Sequence, residues 1–161
     1  MKKFVLLMTL TLALGSCAED ITRNDPSLQG VKDDVNWRAG GATAMIDENG
    51  GLTISGGNQF ETLILQTPST EPGTYVLGEN ENSQAFFIYE SATEAYSYST
   101  GTNNDEGGQI IIEEYNTATR TISGTFRFNA LNDDAESGAA DVLNFQYGVF
   151  YHIPIVAGVA P

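Results

Sequence analysis

Residues 121–130 read TISGTFRFNA. Ile122, Gly124, Phe126, Phe128 and Ala130 occupy every second position, and Thr121, Ser123, Thr125, Arg127 and Asn129 fill the places between them. Side chains of an extended chain point alternately to opposite faces, so this period of two describes a strand with one dry face and one wet face. Gly124 inside such a strand marks a bend or a close neighbour.

The same period continues on both sides. FETLILQT (60–67), QAFFIYE (84–90), AYSYST (95–100) and QIIIEEY (109–115) are β-rich, and VLNFQYGVFYHI (142–153) is a long strand with Gly148 as its expected bulge. Shorter strands are expected over 35–39, 42–47 and 52–56 and at TYVL (74–77). Turn chemistry separates them. Glu48-Asn49-Gly50-Gly51 is a hairpin signal, because Asn-Gly accepts positive φ easily. Pro72-Gly73 closes the loop before TYVL, and 116–119 joins two strands in a second hairpin. The loop at 132–141, NDDAESGAAD, has room for a short helical turn. No stretch has the pattern of a useful amphipathic helix. The expectation is an all-β domain of about 8–10 short antiparallel strands, either a β-sandwich or a flattened β-barrel.

The first residues follow a different logic. Lys2 and Lys3 precede the apolar run FVLLMTLTLAL, and Gly15 and Ser16 are small. That is the layout of an export signal, and the run is shorter than the roughly 20 residues a spanning helix needs. Residues 1–16 are therefore read as a signal peptide, 17–32 as a lipidated cysteine with a flexible tether, and 33–161 as one all-β domain. Leu28 to Val31 leaves room for an edge strand within the tether. Leu14-Gly15-Ser16-Cys17 resembles a bacterial lipobox, which implies acyl chains on Cys17. Several chains make such an anchor effectively permanent. Cys17 is the chain's single cysteine, so no internal disulfide and no thiolate metal site are expected elsewhere. Glu19 and Asp20 resemble the acidic export signals of surface lipoproteins in Bacteroidota.

The 161-residue chain has a formal charge of −14. Cleavage before Cys17 would remove two lysines and no acid, which lowers it by two, to −16. Arg23, Lys32, Arg38, Arg120 and Arg127 would be the remaining strong bases. So acidic a surface repels phosphate backbones, and nucleic acid is not an expected partner.

The mature chain resembles an uncharacterised domain-of-unknown-function family of small Bacteroidota lipoproteins. The resemblance rests on the lipobox at Cys17, Val35-Asn36-Trp37-Arg38-Ala39, Gly73-Thr74-Tyr75, the strand at 108–112, and above all Ile122-Ser123-Gly124-Thr125-Phe126-Arg127-Phe128 followed by Gly148-Val149-Phe150. Tyr147 departs from the threonine or asparagine more usual before that glycine. The resemblance implies an exported, lipid-anchored β domain in the cell envelope, with the outer membrane as its expected seat. It assigns no catalytic residue and no cofactor.

Several residue sets offer chemistry. His152 is the single histidine, beside Phe150 and Ile153 on a strand, and reads as structural. Glu113 and Glu114 are adjacent, so on a regular strand they point to opposite faces and do not form the facing pair that glycoside hydrolysis requires. Asp105 and Glu106, with Asp133 and Asp134, offer oxygens to calcium, although neither loop has the EF-hand pattern. Trp37, Tyr96 and Tyr98, with Tyr147 and Tyr151, are the aromatic residues from which a sugar-stacking platform would be built, although aromatics in sandwiches more often pack in the core or pair across strands. The leading reading is a non-catalytic binding or structural domain whose partner is a glycan or an envelope protein. A β-barrel around a small apolar ligand and a carboxylate-based glycan hydrolase are the alternatives.

Overall fold

The computed structural model describes residues 27–79, 81–102 and 107–156, all strands and connections with no helix. Eleven strands follow in order: β1 Ser27–Lys32, β2 Val35–Arg38, β3 Gly41–Ile46, β4 Leu52–Gly57, β5 Glu61–Thr67, β6 Gly73–Leu77, β7 Gln84–Glu90, β8 Ala95–Ser99, β9 Gly108–Asn116, β10 Thr121–Asn132 and β11 Val142–Val156.

Two long strands organise the molecule. β11 pairs with β10 along one side, from Leu131↔Val142 to Thr121↔Pro154. Its other side is shared between β1, antiparallel, and the parallel partner β3 at Ile155 and Val156. β10 is shared in the same way, between β9 over Thr121–Phe128 and β8 at Leu131 and Asn132. The pairings therefore make one continuous sheet in the order β2-β1-β11-β3-β4-β5-β7-β8-β10-β9-β6, with β10–β11 in addition. It doubles over into two layers, β2-β1-β11-β10-β9-β6 and β3-β4-β5-β7-β8, joined where β11 and β10 pass from one layer to the other. This is a sandwich-like all-β fold and not a regular barrel.

The inward faces meet in one core. Ile122, Phe126, Phe128 and Ala130 of β10 are buried as their alternation requires, while Arg127 is exposed. Phe145 sits at the centre, in ring contact with Trp37, Phe87, Phe126 and Phe128 at centroid distances of 5.2–6.2 Å. Burying a side chain of that size contributes about 2–3 kcal/mol. Gly124 lies where a Cβ would run into the Ile111 carbonyl oxygen and stand 2.5 Å from the Phe150 ring. It is the close neighbour expected of a strand glycine.

β11 departs from simple alternation. Its buried residues are Leu143, Phe145, Gly148, Phe150, Ile153 and Ile155, so each pair of inward positions is followed by one extra outward residue. The register against β10 slips at both places: Phe128 pairs with Phe145 but Phe126 with Gly148, and Gly124 pairs with Phe150 but Ile122 with Ile153. Two β-bulges result, Gln146–Tyr147 and Tyr151–His152. Tyr147 has φ 51° and His152 φ 49°, both left-handed. The expected bulge is present, but the left-handed residue is Tyr147, one position before Gly148.

Four expectations are corrected. Residues 27–32 are not tether but β1, which lies inside the sheet between β2 and β11. With β1 the strands number eleven, above the expected 8–10. The β11–β3 pairing is parallel, so the sheet is not wholly antiparallel. The loop after β10 is a series of turns without a helical segment. The hairpin at 48–51 forms as expected, with the Asp47 carboxylate accepting from the Asn49 and Gly51 amides at 2.7 and 2.8 Å.

Candidate functional site

Trp37, Tyr96 and Tyr98 do not lie on an exposed sheet face. Trp37 is 5% exposed and packs edge-on against Phe145 at 5.5 Å. Tyr98 is 4% exposed and packs on Phe87. Tyr96 is half-buried, stacked on Tyr89 at 4.8 Å and edge-on to Tyr98. All three project inward, because Trp37 shares a face with the core and Tyr96 and Tyr98 alternate with outward Ser97 and Ser99. Burial removes Trp37 and Tyr98 from the stacking role considered above.

Their end of the inter-sheet space holds a polar network. The Trp37 indole N–H donates to Glu61 Oε2 at 2.8 Å, Asn58 Nδ2 donates to the same oxygen at 2.7 Å, and the Lys32 ammonium pairs with Glu61 Oε1. Lys32 also lies 4.6 Å from the Phe87 ring centroid. Burial pushes the Glu61 carboxyl up, but the hydrogen bonds from Lys32 and Asn58, the Lys32 charge and the Trp37 N–H outweigh it and hold the group below its ordinary 4.5. Every oxygen of Glu61 is engaged. The network fastens β1 and β2 of one layer to β5 of the other and offers no free acid or base.

The carboxylates considered for metal or hydrolysis have other duties. Asp133 accepts from Ser97 and Ser99 hydroxyls at 2.7 and 2.6 Å, and Asp134 accepts from the Glu136 amide at 2.9 Å, so both shape the loop after β10. Asp105 and Glu106 lie outside the described residues, as do Cys17, the signal segment and residues 17–26. Among the described residues no three His, Cys, Asp or Glu side chains converge as a metal set. Glu113 and Glu114 stand at a slip in β9, where Ser123 pairs with Glu114 and Gly124 with Ile112. Both are exposed, so the strict alternation expected of them does not hold there. His152 stacks on Tyr151 at 3.9 Å, and its backbone N–H donates to the buried Ser123 Oγ at 3.0 Å.

The open surface is on the outside of the six-stranded layer. Tyr147 is 79% exposed, the highest exposure of any large apolar side chain among the described residues. Three surface grooves of about 390, 390 and 320 Å³ meet around it. One runs past Arg127, Asn129 and Asn144; the second past Gln109, Ile111 and Thr125; the third past Gln29, Asn36 and Arg38. No residue lining them is acidic. In a chain with 21 acids, that sets this patch apart, although Glu113 and Glu114 are exposed elsewhere on the same layer. Sequence reading named Tyr147 among the aromatic residues but missed its place; the signal was the broken alternation Gln146-Tyr147-Gly148, which turns two successive side chains outward.

Fold and surface together define an all-β, sandwich-like domain with a packed centre and one outer patch, around Tyr147, whose lining holds no acid. The chain belongs to a family defined as a domain of unknown function, DUF6252, whose sequence model matches residues 24–154. Comparison with curated proteins gave no match, and comparison with solved structures gave none.

Proposed function

We propose that this protein is a non-catalytic binding domain of the cell envelope, held to the membrane by acyl chains on Cys17, with the outer face around Tyr147 as its binding surface. The carrying observation is Tyr147 itself. A tyrosine in left-handed backbone costs about 1–2 kcal/mol, and here the ring is almost wholly in solvent. The bulge keeps Phe145 and Phe150 inward, but the exposed tyrosine ring adds nothing to the core, so a role for that ring at the surface is the economical explanation. The lipobox-like LGSC after a short apolar run supports the anchor, and the outer membrane, with the domain facing the periplasm or the cell surface, is the proposed location. Ring-to-ring packing of Phe87, Phe126, Phe128 and Phe145 between the layers speaks against a barrel built around an apolar ligand.

Two measurements on the full chain test this. Intact mass of protein extracted from cell membranes should correspond to a chain beginning at acylated Cys17, and Cys17→Ser should release it from the membrane fraction. Incubation with envelope polysaccharides should give retention without shortened products. A cysteine left unacylated behind an uncleaved leader would contradict the anchor, and released oligosaccharides would contradict the non-catalytic reading.

A further inference from the structure

We propose that the grooves around Tyr147 bind an acidic polysaccharide, with a sugar ring stacked on the Tyr147 face and a carboxylate or sulfate held by Arg127. The proposal deepens the binding reading given above and rests on it. Arg127 belongs to β10, whose Phe126 and Phe128 pair with Gly148 and Phe145, so it stands directly across from the Gln146–Tyr147 bulge. It is exposed, and among the described residues it has no carboxylate partner. In so acidic a chain an arginine without an acid beside it is a ready receiver for an external anion.

The sparseness of charge selects the ligand. Arg38 on β2 is engaged by a partner of its own, so Arg127 is the positive charge this patch offers to an anion. Gln109 stands beside Arg127 on β9, Gln146 stands across from it on β11, and Gln29 and Asn36 follow on β1 and β2. These amides make no side-chain hydrogen bond among the described residues. Each can donate and accept, which suits hydroxyl groups. Sparse positive charge, a row of amides and one free aromatic face match a chain of sugars carrying occasional acidic groups. A nucleic acid, with a charge every few ångströms, would need a dense basic surface and would meet the repulsion of the remaining chain.

The test uses the purified full chain in detergent and measures affinity for hyaluronan and gellan, polysaccharides whose carboxylates are separated by neutral sugars, with neutral dextran and single-stranded DNA alongside. Tighter binding of either acidic polysaccharide than of dextran, weakened by salt, is expected. Arg127→Gln should lower that affinity at least tenfold. Tyr147→Gly should do the same with an unchanged or higher melting temperature, since glycine suits the left-handed backbone. Ile88→Gln, on the outside of the other layer, should bind like the parent. Equal, Tyr147-dependent binding of dextran would overturn the charge assignment while leaving the binding face in place. DNA binding stronger than polysaccharide binding would overturn it in favour of nucleic acid. Failure to bind any of these, or binding that neither variant changes, would overturn the proposal; unchanged binding would also remove the Tyr147 face as the surface.

Discussion

The two bulges of β11 are built alike and end differently. Each inserts one extra outward residue, and each places a non-glycine residue near φ 50°. At the second, the extra residue is absorbed by the fold: His152 stacks on Tyr151 and its amide is held by the Ser123 hydroxyl. At the first, Tyr147 has no ring or hydrogen-bond partner among the described residues and stands 79% exposed. Equal backbone strain with unequal side-chain satisfaction separates a bulge that serves packing from one that presents a side chain. Both keep Phe145, Phe150 and Ile153 inward, so the core tolerates neither being removed outright.

The largest expected effect breaks both bulges together. Gly124→Ala would drive a Cβ into the Ile111 carbonyl and the Phe150 ring, which lies between the bulges. A backbone oxygen has little room to move, so the loss should be about 3 kcal/mol or more, seen as a lower midpoint in chemical denaturation. Next is Glu61→Ala, which touches neither bulge and calibrates the comparison. It strands the Lys32 ammonium and the Trp37 N–H at the inter-sheet end and should cost about 2 kcal/mol. The same residue sets an acid response. Because its folded carboxyl is held below 4.5, its stabilisation is present above that pH and is lost as pH falls through the folded value. Melting temperatures measured downward from pH 5 should fall more steeply for the parent than for Glu61→Gln.

Ser123→Ala sharpens the comparison at the second bulge alone. It removes the acceptor for the His152 N–H and should cost about 1 kcal/mol, with faster amide exchange at His152. Tyr147→Gly is the matching change at the first bulge and should have the smallest effect on stability, none or a gain of up to about 1 kcal/mol. A destabilisation as large as that of Ser123→Ala would erase the distinction between the two sites.

Much of the fold was legible because one physical rule governs it. In TISGTFRFNA the inward count holds for Ile122, Phe126, Phe128 and Ala130 and Arg127 falls outward, but Ser123, expected on the wet face, is buried against the second bulge of β11. The rule fails where the chain leaves simple alternation. In VLNFQYGVFYHI the glycine drew the expected bulge to Gly148, whereas the left-handed residue is Tyr147, held there by packing of Gly148 against the Phe126 ring, where a Cβ would stand 2.5 Å away. SLQGVK reads as tether because only Leu28 and Val31 are apolar and Gly30 reads as a breaker; pairing on both sides, with β2 and β11, makes it a strand. The parallel β11–β3 contact spans two residue pairs and leaves no pattern in sequence. For Trp37 the choice between core and surface platform stayed open because its partner Glu61 is distant along the chain, and no local signal reveals an indole N–H satisfied by a carboxylate from another strand.

The sharpest single measurement is amide chemical-shift mapping of the full chain titrated with hyaluronan oligomers. Shifts centred on Gln146, Tyr147 and Arg127, with Tyr151 and His152 unmoved, are the expected result. Shifts centred on Tyr151 and His152, or the same response at both bulges, would contradict the division of labour between them.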